Sequence, residues 1–161
     1  MNSGSNGTTV DGICLDPDLF ARTHPFYMRL GADLCLRDTG VAIRALCPQW
    51  RRGEPLATAF ALVSPPLPLN QDTLELTLEQ AVVLQAGNSS AFCLGGAFYR
   101  VDAGHYLFMG YPQYSDVDEL VNSGLYLSLF PRCDPMHFYI AALTIKNNAQ
   151  RDLERLAHSL E

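Results

Sequence analysis

Charge is scarce in this 161-residue chain: Asp, Glu, Lys and Arg make up 17% of it and hydrophobic residues 48%. Ordinary soluble domains carry roughly a quarter charged residues, so part of this surface is expected to lie against partner chains or neighbouring domains. There is no Lys/Arg-rich run, and the net charge is −6. The densest basic point, Arg51-Arg52, has no aromatic-basic repeat around it, which argues against a nucleic-acid partner. No apolar run is long enough to cross a membrane and no signal peptide is evident. The five cysteines are odd in number, widely spaced and free of any C-x-x-C pair, which points to a reducing cytoplasm rather than a disulfide framework. No G-x-S-x-G occurs, so a hydrolase nucleophile has no local signature. His24, His105, His137 and His158 include no pair at helical metal-binding spacing, and Gly95-Gly96 lacks the rest of a phosphate-binding pattern. Neither catalytic residues, a metal site nor a cofactor site is expected.

What is present reads as one α+β domain with a helix at each end. Residues 1–12 are polar and rich in Gly, Ser and Asn, a linker or a cloning remnant. Asp16-Pro17 supplies an N-cap followed by a proline at the first helical position, and the helix should end by Thr23 because His24 precedes a proline. Phe26 to Leu30 and Leu34 to Asp38 read as strands joined by a Gly-led turn. A short helix over 40–46 and a second helical stretch over 55–63 follow, the latter stopped by Ser64-Pro65-Pro66. Three β-like runs come next, over 76–84, 92–101 and 106–111, separated by Gly87-Asn88 and Asp102-Ala103-Gly104. Their short connections require an antiparallel arrangement, and the total is a five-stranded sheet.

The last part changes character. A short helix over 119–123 should end at Gly124, and Leu125 and Leu127 should share one face of a strand, with Tyr126 and Ser128 on the other. From Met136 onward Tyr139, Ala142, Lys146, Ala149, Leu153, Leu156 and Leu160 fall on a 3-4 spacing, an amphipathic helix beginning near 139. Lys146 interrupts that seam, which is strongest from Ala149. An isolated amphipathic helix of this length is marginal in water. Its stripe either folds back on its own sheet or pairs with a second helix, and Leu19 and Phe20 of the first helix are candidates for the same interface.

Two segments resemble a known family. His24-Pro25-Phe26-Tyr27, then Asp33-Leu34, then Gly40 to Pro48 is similar to the opening of the haem-nitric-oxide-binding-associated (H-NOX-associated) domain, with His24 in place of its leading aromatic and Tyr27 in place of its histidine. Gly124-Leu125-Tyr126-Leu127-Ser128, then Pro131 and Asp134, resembles the family's closing motif, with Cys133 where a histidine is usual. The resemblance spans about 24–160.

It implies a PAS-like fold over 13–138 and the start of a signalling helix over 139–161. The implied role is non-catalytic: dimerisation and signal relay in a sensor histidine kinase or guanylate cyclase, between a haem NO/O2 sensor and an output domain. The partners would be a second copy or a paralogue, the haem sensor, and the downstream kinase or cyclase domain. The alternative is a PAS sensor holding a small apolar ligand or cofactor in its core, since eight Phe and seven Tyr can line a pocket as readily as fill one.

Overall fold

The computed structural model describes residues 16–87, 92–114, 127–131 and 134–159. The expected linker over 1–12, the helix over 119–123, Gly124, Leu125, Tyr126 and Leu160 lie outside them. The elements in order are helix α1 (Pro17–Thr23), strands β1 (Met28–Gly31) and β2 (Leu36–Thr39), helices α2 (Val41–Leu46) and α3 (Leu56–Ala59), strand β3 (Phe60–Ser64), helix α4 (Gln71–Leu76), strands β4 (Val82–Ala86), β5 (Cys93–Asp102) and β6 (His105–Gln113), a 3-10 turn (Leu127–Leu129), and helix α5 (Pro135–Ser159).

Among the described residues six strands form one antiparallel sheet in the order β2-β1-β6-β5-β4-β3. The expectation of five strands is corrected to six. The extra one, β3, lies within the stretch read as helical over 55–63: the helix stops after one turn at Ala59, and Phe60 turns extended to pair with Ala86. The β-like run over 76–84 is corrected too. Its first residues end α4 and form a turn around Glu79 at φ +60°, Leu78 makes an isolated parallel bridge to Phe98, and the antiparallel ladder of β4 begins at Val82.

Local chemistry accounts for several of the elements. The Asp16 carboxylate accepts from the amides of Asp18 and Leu19 at 2.9 and 3.1 Å, capping α1 as expected. Asn70 caps α4 by accepting from the Thr73 amide at 2.8 Å. Gly40 starts α2 where the Pro25 carbonyl occupies the space a Cβ would need, and its own amide donates to Tyr27 O at 2.9 Å. The first hairpin and the helix after it are thereby held together at one point.

Met28, Leu30, Leu84, Leu94, Phe98 and Phe108 point from the sheet into the core and are almost fully buried. Ala42 and Ile43 of α2, Leu56 and Ala59 of α3, and Leu74 of α4 are buried with them in a single cluster. The aromatic rings meet one another: Phe98 and Phe108 at 5.0 Å, Trp50 and Phe60 at 5.5 Å, Phe60 and Phe92 at 6.4 Å. α4 is tied to the β5–β6 hairpin through Glu75, whose carboxylate accepts from the Tyr106 hydroxyl and the Arg100 guanidinium.

Candidate interaction site on the C-terminal helix

α5 leaves the domain beside the end of β6. Pro135 stands at its first position, where no intrahelical amide bond is required. Just before it, the Asp134 amide donates to Pro131 O at 2.9 Å, and Asp134 O accepts from the His137 amide at 3.1 Å. Phe130 is buried against Phe26 at 5.2 Å between ring centroids, which plants the root of the helix in the core. Ser128 falls in the 3-10 turn rather than in the expected strand, so the alternation assigned to Leu125 through Ser128 does not hold at Leu127 and Ser128. Pro131 and Asp134, the other described motif residues, are half-buried at this root.

Along α5 the contrast between faces is sharp. Ile140 is 8% exposed. Beyond it the described side chains are exposed, Asn147 alone being half-buried. Phe138 is 77% exposed, Ile145 70%, Leu153 66% and Leu156 60%. At about 100° per residue, Phe138, Ala142, Ile145, Ala149, Leu153 and Leu156 fall within about 80° of arc. Ile140 and Asn147 lie about 180° from the middle of that arc. The face that docks on the domain is therefore opposite the apolar stripe, and the stripe cannot be buried on the helix's own sheet.

Four of the expected interface residues have described positions with exposed side chains: Leu19, Ala149, Leu153 and Leu156. Phe20, by contrast, is half-buried, stacked on His24 at 4.8 Å and edge-on to Tyr27 at 5.1 Å. Phe138 and Ile145 stand in the exposed stripe where the 3-4 spacing places Tyr139 and Lys146. Tyr139 is turned toward the domain, its hydroxyl donating to Tyr114 O at 3.4 Å. It closes one side of a groove of about 590 Å³ whose other walls include Tyr111, Pro112, Tyr114, Asp134 and Pro135. A signal was available in the sequence: Phe138 and Ala149, Ala142 and Leu153, and Ile145 and Leu156 are each eleven residues apart.

Three of the four histidines are engaged in local structure. His24 accepts or donates at 3.0 Å to Thr23 Oγ1, His105 pairs with Asp102 at 2.8 Å, and His137 approaches Phe130 O at 3.4 Å. The Tyr27 hydroxyl donates to Asp38 at 2.5 Å, and burial followed by that bond pushes it up to about 12. Cys47 is buried, which raises its thiol to about 11 and makes it a poor nucleophile. No helix among the described residues is long and apolar enough to cross a membrane. No protein-family model matches the chain.

Proposed function

We propose that this chain is a dimerisation and signal-relay domain of a multidomain signal-transduction protein, PAS-like in fold and of the H-NOX-associated type. On this reading it couples a haem NO/O2 sensor to a kinase or cyclase output domain and performs no chemistry itself. The observation that carries it is the exposed apolar stripe of α5, set opposite the face that anchors the helix. A stripe about five turns long that its own domain cannot cover calls for a second helix.

The fold supports the same reading. Without the edge strand β3, five contiguous antiparallel strands remain, β2-β1-β6-β5-β4, with short helices α2 to α4 buried against the core. The residues carrying the family resemblance fall at structurally demanding points. Gly40 sits against Pro25, Tyr27 binds Asp38, and Pro131 and Asp134 form the root of α5. The cytoplasmic setting of such a protein agrees with Cys35 and Cys47 being thiols outside any disulfide. For the alternative, a ligand held in the core, aromatic side chains would have to line a void; Phe98 and Phe108, and Trp50, Phe60 and Phe92, instead pack ring against ring.

Light scattering after size exclusion, with absorption recorded into the visible, tests the proposal. The expected result is a colourless dimer that becomes a monomer when Leu153 and Leu156 are both replaced by Asp, the β-rich circular dichroism staying unchanged. Removing two leucines that the dimer would bury and adding two charges should weaken association by roughly a hundredfold or more. Retention of the dimer mass in that variant would take α5 out of the interface. A coloured preparation would replace the relay by a cofactor-bound sensor.

A further inference from the structure

We infer that α5 pairs in parallel with a second copy of itself along Phe138, Ala142, Ile145, Ala149, Leu153 and Leu156, in an eleven-residue phase that leaves Tyr139 and Lys146 outside the seam. This rests on the dimer reading above and specifies its contact.

Two seams compete for the first half of the helix. A seven-residue repeat runs through Tyr139, Ala142, Lys146, Ala149, Leu153 and Leu156, and an eleven-residue repeat substitutes Phe138 for Tyr139 and Ile145 for Lys146. The second half is common to both. In the first half the two choices differ by about 50° of rotation about the helix axis. The structure separates them by what each residue already does. Tyr139 is 45% exposed and leans on Tyr114 at the wall of the groove, while Phe138 and Ile145, at 77% and 70%, have their surface open. Ile140 then fixes the helix on the domain with the eleven-residue stripe directed away from it.

Electrostatics selects the same phase and the parallel orientation. In a parallel, in-register pair the seven-residue seam would set two Lys146 ammonium groups against each other across the axis, a position where a lysine costs stability. In the eleven-residue seam Lys146 moves to one edge of the stripe and Asp152 stands on the other, both exposed, with Arg155 3.8 Å from Asp152 on the side away from the seam. Two-fold parallel pairing sets each edge against the opposite edge of the partner, cation side toward anion side, and antiparallel pairing sets like against like. Ala142 and Ala149 let the helices approach closely between the larger Phe138, Ile145 and Leu153. An eleven-residue repeat corresponds to about 3.67 residues per turn, so the pair should be nearly straight or slightly right-handed.

The test is the dimer dissociation constant of the full chain by sedimentation equilibrium, for wild type, Ile145→Lys and Lys146→Ile, with circular dichroism to verify the fold. Both positions are exposed, so neither change disturbs the core. Ile145→Lys is expected to weaken the dimer by about tenfold or more, and Lys146→Ile to change it by less than about threefold. The reverse, tightening by about tenfold or more in Lys146→Ile with Ile145→Lys near wild type, would install the seven-residue seam and overturn the inference while leaving the dimer intact. An oxidative cross-link between two chains carrying Ile145→Cys, stronger than for Lys146→Cys, is the matching direct result. A wild-type chain that stays monomeric at every concentration would remove the dimer reading itself, and the seam with it.

Discussion

The ring of Phe108 occupies the place of a side chain on Gly110: its Cζ lies 2.7 Å from where a Cβ on that glycine would stand. The same atom lies 2.7 Å from the corresponding point on Gly96, the cross-strand neighbour of Gly110. Two facing glycines on β5 and β6 thus open a bed for a ring that then meets Phe98 at 5.0 Å. The sheet gains its central aromatic pair because two positions carry no side chain.

Gly110→Ala should therefore displace Phe108 and destabilise the domain within the ~1–3 kcal/mol usual for overpacking. Gly40→Ala should cost as much or more, since the obstacle there is the Pro25 backbone rather than a side chain that can rotate. Urea denaturation of both variants measures this. Unchanged midpoints would remove close packing as the reason for these glycines.

Tyr27 links stability to alkaline pH. Its hydroxyl is raised from an ordinary value near 10 to about 12, first by burial and then by the bond to Asp38. A folded value above the unfolded one means that the protonated form favours folding. The contribution is complete below about pH 10 and is lost as pH rises toward 12. Tyr27→Phe should lower stability by about 1.5 kcal/mol at pH 7, the loss of a hydrogen bond to a charged group. It should also flatten the decline between pH 10 and 12 measured by chemical denaturation.

Cys47 should resist alkylation in the folded protein at pH 8, because its thiol is buried and raised to about 11. Peptide mapping after iodoacetamide treatment should find it unmodified without denaturant and modified with it. Labelling of the native protein at the rate of a free thiol would place Cys47 at the surface.

Glu79 holds a left-handed conformation at φ +60°, with its amide donating to Phe98 O at 2.8 Å. Its side chain is exposed, so Glu79→Gly removes strain without opening a cavity. A gain of up to about 1 kcal/mol is expected, or about 2–4 °C in melting temperature for a chain of this size. A lower melting temperature would show that glycine's entropy outweighs the relief.

The correctly read elements are those whose signals are local. Asp16-Pro17 caps and starts α1, His24-Pro25 ends it, and the Gly-led turn sets the first hairpin, each within a few residues. β3 was illegible because the sequence of apolar residues over 60–63 serves a helix or a strand equally well. The decision came from Ala86, about twenty-five residues onward, offering a strand edge. α4 likewise depends on Glu75 finding Tyr106 and Arg100, contacts separated by 31 and 25 positions.

The C-terminal helix divides the two kinds of information most clearly. Its existence and amphipathic character were determined by the sequence, since apolar residues three and four apart form a stripe wherever the backbone is helical. Which stripe faces outward was decided only in three dimensions. Two phases share Ala142, Ala149, Leu153 and Leu156, and periodicity cannot choose between them. The choice was made when Ile140 was buried in the core cluster and Tyr139 leaned on Tyr114, because burying one face of a rigid helix fixes the direction of every other residue on it.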